Sequence, residues 1–233
     1  MTIFPALSAG IFYFMNIAIQ GYPGSFHHEA VQQYFGKSAQ ITPCATFRAL
    51  VDTITGSNKV ASGLMAIENS IAGSILPNYN LLYNSDLLVT GEVYLTIKQQ
   101  LMVNKGVTLD DIKEVHSHPM ALLQCNRYLD HQQWKQVATE DTALSARNIK
   151  ELGLKHTAAI AGITAAALYE LDIVAADIHD QEHNYTRLLV LNRREDATVP
   201  IPGADITLSL TLNLTGRLSS TMRSTQLKHT PIP

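Results

Sequence analysis

The stretch "EHNYTRLLVL" (residues 182–191) starts with polar side chains and ends as a purely apolar run. The apolar half is typical of a strand that is buried inside a sheet. Thr186 and Arg187 stand at the start of this strand, where a buried polar group needs a partner to offset the loss of water. The stretch therefore predicts a strand whose first residues reach a functional edge of the fold.

Short apolar runs alternate with helical segments along the rest of the chain. The first of these are predicted strands at residues 16–20, 41–45 and 60–67, and helices at residues 26–35 and 46–55. This alternation predicts an α/β fold with largely parallel sheets. A long β-rich stretch near residue 92 divides the elements into two similar sets, which indicates two lobes joined by extended crossovers.

Three polar clusters follow predicted strands, where ligands bind in open α/β sheets. "GYPGSF" (residues 21–26) opens a helix, either as an anion-binding loop or as a turn with Ser25 as the N-cap. "IENSIAGSI" (residues 67–75) holds Asn69 and Ser70, as a binding loop or as helix caps. "VHSHPMALLQC" (residues 115–125) places Ser117 and Gln124 seven residues apart on one helical face, with an N-cap and a surface amide as the alternatives.

The composition restricts the class of function. The chain has 233 residues, 46% of them hydrophobic, and a formal net charge of −3, so it has the core of a globular protein and no electrostatic footprint for nucleic acid. Cys44 and Cys125 are far apart and form no CxxC pair, which predicts buried thiols in a reducing compartment. Residues 1–14 lack the charged start of a secretory signal and are too short to span a bilayer.

Two short sequence motifs near Thr186 match patterns of other functions. "HDQEH" (residues 179–183) fits a zinc-hydrolase motif, but that motif requires a helix, and its flanks "IVAADI" and "LLVL" are strand-like. His116 and His118 form a pair without a third ligand, so we predict no metal site. Asn184-Tyr-Thr186 spells a glycosylation acceptor, which matters only in a secreted protein.

The motifs occur together in one order that resembles the catalytic domain of prephenate dehydratase. The segments that carry the resemblance are residues 21–26, "IENS–AG", "GEVYLTI", "SHPMALLQC", "AAIAG–AA" and "NYTRLLVL". It covers about residues 16–194. It implies a fold similar to a type II periplasmic binding protein, with two α/β lobes and the active site in the cleft between them.

The resemblance also implies the reaction, in which prephenate loses CO2 and water and becomes phenylpyruvate, a step toward phenylalanine. Aromatisation drives this reaction, so we expect no cofactor. Four residues match family positions implicated in catalysis: Thr186, Asn69, Ser117 and Gln124. We expect substrate binding by Gly24, Ser25, Ser70, Gly73 and Arg187, although strand alternation leaves open that Arg187 braces the hinge instead. Arogenate, which carries an amine in place of the keto group, is the alternative substrate.

The resemblance gives a domain organisation and two departures from the family. We expect an extension at residues 1–14 and a catalytic domain at residues 15–194, with lobe 1 at about 15–92 plus 180–194 and lobe 2 at about 93–179. Residues 204–233 resemble a truncated remnant of an ACT regulatory domain, for which we predict weak order or pairing with another chain, and no phenylalanine feedback. Leu188 stands where the family usually has phenylalanine, and we expect it to pack in the core.

The remaining expectations concern setting and partners. We predict a cytoplasmic enzyme that acts on a small molecule, binds neither nucleic acid nor membrane, and forms a homodimer that the truncation weakens. A non-enzymatic binding protein of the same fold would carry a secretion signal and would not need Thr186 or Asn69. An inactive, degenerate dehydratase is a third reading, against which the retained motif residues argue.

Overall fold

A computed structural model describes residues 16–57 and 59–197 of the chain. The predictions for residues 1–14 and 204–233 lie outside the described residues. The strands are β1 (Asn16–Gln20), β2 (Gln40–Cys44), β3 (Val60–Asn69), β4 (Gly73–Ser74), β5 (Leu88–Thr96), β6 (Gln100–Val103), β7 (Glu114–Ser117), β8 (Lys135–Ala138), β9 (Thr157–Ala161), β10 (Asp172–Ala175) and β11 (Tyr185–Asn192). The helices are α1 (Phe26–Phe35), α2 (Phe47–Gly56), α3 (Leu76–Tyr83), α4 (Pro119–Gln124), α5 (Asn126–Leu129), α6 (Thr142–Glu151) and α7 (Ile163–Leu168).

The strands form two sheets, one for each lobe. The first sheet has the order β2-β1-β3-β11-β5, with β4 paired to β3. The second sheet has the order β10-β6-β9-β7-β8. Helices follow the strands in both sets, as the alternating sequence predicts. The predicted α/β fold with two lobes, similar to a type II periplasmic binding protein, is thereby confirmed.

The prediction of largely parallel sheets was wrong, because each sheet mixes parallel and antiparallel strands. The parallel strands are β2, β1 and β3 in the first sheet and β8, β7 and β9 in the second. The strands next to the lobe crossovers pair antiparallel: β11 lies between β3 and β5, and β6 lies between β9 and β10. The antiparallel strand β11 matters most for function, because it brings the end of the chain's second crossover against the end of β3.

Two extended segments join the lobes. Residues 97–99 run from β5 to β6, and residues 176–184 run from β10 to β11. The two segments are hydrogen-bonded to each other, because Ile97 N–H donates to Asn184 O at 2.7 Å and Ile178 N–H donates to Gln99 O at 3.0 Å. Residues 179–183 are not helical, so the geometry that the zinc spelling requires does not form.

Local sequence explains most helix starts. The side chains of Ser25, Thr46 and Asp141 accept hydrogen bonds from the first turns of α1, α2 and α6, as N-caps do. Two predictions were wrong in detail. The sequence favours a single helix over residues 119–129, since Pro119 suits a first helical position, but this segment is interrupted at Cys125, where α4 ends and α5 begins. Helix α3 was not predicted.

The core lies on both faces of each sheet. Leu188 is 1% exposed and packs with Ile17, Leu64 and Val93 in the first lobe, which confirms its predicted core position. Val115, Ile160 and other apolar residues form the corresponding core of the second lobe. Within the described part of the chain, no helix is long and apolar enough to cross a membrane.

Candidate active site

Asn69 and Thr186 meet as a cross-strand pair. Asn69 is the last residue of β3, and Thr186 is the second residue of β11. The antiparallel register places the two directly opposite each other, and Asn69 Nδ2 lies 3.0 Å from Thr186 Oγ1. The register shifts just beyond this pair, between Arg187 and Leu188. Residues 117 positions apart in the sequence thus form one hydrogen-bonded unit at the lobe crossover.

The amide of Asn69 can take only one orientation. Its Oδ1 accepts hydrogen bonds from the backbone N–H groups of Ile71 at 3.0 Å and Ala72 at 2.9 Å. A flipped amide would place an N–H group against these two donors. Its Nδ2 is therefore the donor toward Thr186 Oγ1, Asn184 Oδ1 at 2.8 Å and Tyr185 O at 3.2 Å.

This orientation fixes the role of the Thr186 hydroxyl. Because Thr186 Oγ1 accepts from Asn69, its own hydrogen points elsewhere. Among residues 16–57 and 59–197, no acceptor takes that hydrogen. The half-buried Thr186 hydroxyl is therefore a donor that remains available to a bound molecule.

Ser70 and Gly73 support the loop after β3. Ser70 Oγ donates to His183 O at 3.1 Å and accepts from Tyr185 N–H at 2.9 Å, so its hydroxyl binds the second crossover. Gly73 pairs with Asn69 in the short strand β4 and has a φ of +80°, a conformation that favours glycine. Both residues hold Asn69 in place.

A cavity of about 190 Å³ lies between the loop after β3, helix α4 and the second crossover. Ile71, Met120 and Leu123 provide its apolar lining, and Gln124, His179, Asp180, Gln181 and Asn184 provide its polar lining. Gln124 accepts a hydrogen bond from Gln99 Nε2 at 3.3 Å. Sequence reasoning placed Gln124 at a site but missed Gln99, His179 and Asn184, although Asn184 stands two residues before Thr186.

Ser117 lies inside the second lobe. It is fully buried, and its hydroxyl donates to Ile160 O at 2.6 Å on the neighbouring strand β9. The N-cap of α4 is His118, whose Nδ1 accepts from Met120 N–H at 3.2 Å, so Ser117 does not cap this helix. The hydroxyl hydrogen of Ser117 is used in this bond within the sheet, so only the Ser117 oxygen can form a further hydrogen bond, as an acceptor.

The loop at residues 21–26 packs against the second lobe. A Cβ on Gly24 would lie 3.1 Å from Ala165 Cα, and Tyr169 O–H donates to Pro23 O at 2.7 Å. Within the loop, Gly24 N–H donates to His28 Nδ1 at 3.0 Å, and Ser25 Oγ accepts from His28 N–H at 3.4 Å. These bonds use the Gly24 N–H as a donor and the Ser25 hydroxyl oxygen as an acceptor, so both residues take part in local structure.

Helix α1 also contacts the second lobe. Thr164 O–H donates to Glu29 Oε2 at 3.4 Å, and a Cβ on Gly162 would lie 2.9 Å from the Phe26 ring. Burial raises the pKa of the Glu29 carboxyl, and the bond from Thr164 partly opposes that rise. The lobes thus touch through small residues and neutral donors.

Arg187 belongs to the first sheet. Its Nε and Nη2 donate to Glu92 Oε2 at 2.9 and 2.7 Å, and its guanidinium lies 5.8 Å from the centre of the Tyr94 ring. Both partners are on β5, next to β11. Of the two roles that the sequence left open for Arg187, this ion pair supports bracing of the strand at the crossover.

The described residues contain no group of three His, Cys, Asp or Glu side chains arranged to hold a metal ion. Both cysteines are buried, and burial raises the pKa of the Cys125 thiol to about 12, so this thiol is not a nucleophile at neutral pH. The arrangement instead offers uncharged donors around a partly apolar cavity. Such a site suits a small molecule that carries carboxylate and hydroxyl oxygens.

Comparison with known proteins identifies relatives of the chain. The sequence model described as prephenate dehydratase matches residues 17–196 of the chain. Arogenate dehydratase 2 of Petunia hybrida is 36% identical over 191 residues, which cover 82% of this chain and 47% of the relative. A bifunctional N-acyl-homoserine lactone acylase/prephenate dehydratase of Komagataeibacter europaeus is 32% identical, covering 80% of this chain and 66% of that protein.

The fold has counterparts among solved structures. The prephenate dehydratase of Arthrobacter aurescens in complex with L-Phe superimposes with a TM-score of 0.71 at 25% identity, covering 84% of this chain and 63% of that chain. The chain spans about half the length of the Petunia relative. The part that matches is the part that holds both lobes and the cavity.

Proposed function

The chain belongs to the prephenate dehydratase family, and from this premise we propose that it converts prephenate to phenylpyruvate, CO2 and water. In this reaction the carboxylate and the hydroxyl leave opposite ends of a cyclohexadiene ring. We assign the step to phenylalanine biosynthesis.

One observation carries the proposal. Thr186 Oγ1 accepts from Asn69 Nδ2 at 3.0 Å, so the hydroxyl hydrogen of Thr186 is directed away from the protein network. A dehydratase needs a donor of this kind, because a departing hydroxyl leaves far more easily when it is hydrogen-bonded or protonated.

The chemistry balances without a cofactor. The ring carboxylate breaks its bond to carbon and leaves as CO2, and the released electron pair moves through the ring. This pair expels the hydroxyl at the far carbon, which takes up one proton and leaves as water. Thr186 is too weak an acid to supply that proton alone, so we assign it the hydrogen bond to the departing oxygen and a relay of the proton from solvent.

The remaining site residues have supporting roles in this proposal. Asn69 orients Thr186, and Gln124 lines the cavity as a donor to substrate oxygens. Ser117, whose hydroxyl donates to Ile160 O, holds the end of β7 against β9. Gly24, Ser25, Ser70, Gly73 and Arg187, which we predicted to bind substrate, shape the cleft mainly through the backbone and the lobe contacts in which they take part.

Arogenate is the second candidate substrate. Plant relatives at 36% identity carry the name arogenate dehydratase. Arogenate differs from prephenate only where an ammonium replaces the keto group, so it needs an acceptor at that position. Asp180 lines the cavity, and its carboxylate accepts from Arg127 N–H at 3.2 and 3.3 Å, so it is partly engaged. We therefore place prephenate first.

Two further predictions, a homodimer and a cytoplasmic location, rest on the resemblance alone and remain proposals.

The test is formation of phenylpyruvate from prephenate by the purified protein. We expect turnover, and a kcat/KM for prephenate above that for arogenate. A folded protein that makes no phenylpyruvate from prephenate would refute the proposed activity.

A further inference from the structure

Asn184 is buried at the end of the second crossover. Its side chain and backbone are fully shielded from solvent, and its carbonyl oxygen accepts from Ile97 N–H at 2.7 Å. Its Oδ1 accepts from Asn69 Nδ2 at 2.8 Å. Asn184 therefore belongs to the same hydrogen-bonded unit as Asn69 and Thr186.

The orientation of the Asn184 amide follows from that of Asn69. Ile71 and Ala72 fix the Oδ1 of Asn69, so the Nδ2 of Asn69 faces Asn184 as a donor. A donor of this kind requires an acceptor opposite it, which must be Asn184 Oδ1. The Nδ2 of Asn184 consequently points away from this network.

Asn184 Nδ2 is buried and has no hydrogen-bond partner among the described residues. An unpaired buried donor is costly in a folded protein, so such groups need a partner or a purpose. Asn184 lines the 190 Å³ cavity together with His179, whose Nδ1 is also buried and unpartnered. Two residues that line the same cavity thus each carry a buried nitrogen without a partner.

From this geometry we propose that Asn184 Nδ2 binds a carboxylate oxygen of the substrate, a role that rests on the proposed function. The cavity presents donors, and the oxygens of Asp180 are engaged by Arg127 N–H. Arg187, the cation nearest in sequence, is paired with Glu92. In this proposal the neutral, buried amide of Asn184 recognises the substrate carboxylate, and no cation is required.

The volume of the cavity fits a part of the substrate. Pockets that enclose whole small molecules usually measure about 300 Å³ or more. A cavity of about 190 Å³ that is apolar on the side of Ile71, Met120 and Leu123 holds a carboxylate and part of a ring. The remainder of the substrate extends toward Thr186.

The sharpest test is Asn184→Asp, which keeps the size of the side chain and the acceptor for Asn69 but replaces the donor by an oxygen. At pH 8 we expect KM for prephenate to rise about 10- to 100-fold, the loss expected for a hydrogen bond to a charged group. We expect kcat to change less than about threefold, because the contact is made in both ground and transition states.

Two further variants provide a control and a substitute for this test. Asn148→Asp, at a half-buried asparagine on α6, adds the same charge away from the cavity and should keep wild-type KM. Asn184→Ala serves if the aspartate variant fails to fold. It leaves Asn69 Nδ2 with two acceptors, Tyr185 O and Thr186 Oγ1, for its two hydrogens. We expect a similar rise in KM from it.

The outcomes separate this inference from the proposed function. A fall in kcat with unchanged KM, or wild-type values of both, would overturn the inference, because Asn184 would then only position Asn69 or pack the crossover. If the wild type makes no phenylpyruvate, calorimetry with prephenate decides. Binding that Asn184→Asp weakens about tenfold or more keeps the inference without the function, and equal or absent binding rejects it.

Discussion

Two loops of the first lobe follow buried strands, and both were predicted to bind substrate. In the loop at residues 21–26, Gly21 N–H donates to Cys44 O at 2.9 Å, Ser25 N–H to Tyr22 O at 3.1 Å, and Gly24 N–H to His28. In the loop after β3, the backbone N–H groups of Ile71 and Ala72 donate to Asn69 Oδ1. Next to this loop, however, the Thr186 hydroxyl and Asn184 Nδ2 are donors without an acceptor among the described residues. The first loop thus packs against the second lobe, whereas the second stands beside unpaired donors that we propose bind substrate.

The difference shows that polar residues at a strand end do not by themselves make a site. What distinguishes the two loops is what lies beside them. The loop at residues 21–26 caps α1 through the Ser25 hydroxyl oxygen, which accepts from His28 N–H, and its glycine approaches the second lobe. The Asn69 unit has a fixed direction, which leaves the Thr186 hydroxyl hydrogen and Asn184 Nδ2 without acceptors among the described residues, and Asn184 lines the cavity. Variants in both regions test this contrast.

The largest effect is expected at Thr186. Thr186→Ala removes the available donor, so kcat for phenylpyruvate formation should fall about 10²- to 10⁴-fold while KM changes little. Thr186→Ser keeps the hydroxyl and is the control, with a far smaller loss expected. Near wild-type turnover by the alanine variant would show that the donor is not used.

The helix that follows the packing loop should make folding sensitive to acid. His27 Nε2 is buried without a partner, and burial lowers the pKa of His27 to about 4 from an ordinary value of 6.5. The unfolded chain binds this proton near pH 6.5 and the folded chain does not. Stability is therefore complete above pH 6.5 and is lost as pH falls toward 4, by roughly 3 kcal/mol.

Denaturant unfolding between pH 4 and 7 measures this loss. His27→Leu should flatten the pH dependence, because it removes the titrating group while keeping an apolar contact with Phe47. The same change at the exposed His131 is the control. An unaltered pH dependence in His27→Leu would assign the acid sensitivity to other groups.

The lobe contact is tested at Gly24, whose φ is +88° and whose added Cβ would meet Ala165 and Tyr169. Gly24→Ala should lower the free energy of unfolding by about 2–3 kcal/mol. Gly36→Ala is the matched control, since Gly36 has a φ of +91° but nothing within 4 Å of an added Cβ, and should cost about 1–2 kcal/mol. Equal losses at both positions would mean that the contact with the second lobe contributes nothing.

The smallest effect is expected at the ion pair of Arg187 and Glu92, whose side chains are 22% and 29% exposed. A double-mutant cycle with Arg187→Met and Glu92→Gln should give a coupling of about 1 kcal/mol in stability. Each single variant should change KM for prephenate only slightly, and by a similar amount. A large rise in KM for Arg187→Met alone would instead place Arg187 on the substrate.

Local signals in the sequence were sufficient for much of the fold. The N-caps Ser25 and Thr46 and the apolar strands predicted the elements of the first lobe closely. Helix α3 was missed because its preceding residue, Ile75, provides no side-chain cap and only Asn78 of the helix is buried. Pro77 in the first turn is the local signal that could have marked this helix.

The site depended on information that no short segment carries. The resemblance to a family pointed to Asn69 and Thr186, but their hydrogen bond comes from the register between β3 and β11. The sequence assigned no substrate contact to Asn184, because the unpaired amide on which its proposed role rests is visible only in three dimensions. Strand register and the direction of hydrogen bonds are properties of the assembled sheet.

The most direct measurement of the central claim is kcat for prephenate in Asn69→Asp, alone and combined with Thr186→Ala. Aspartate keeps the acceptor for Ile71 and Ala72 but turns the donor toward Thr186 into an acceptor, so the Thr186 hydrogen would point back into the protein. We predict that Asn69→Asp lowers kcat nearly as much as Thr186→Ala, and that the double variant is no worse than Thr186→Ala alone. Independent, multiplicative losses would contradict the claim that Asn69 acts by directing the Thr186 donor.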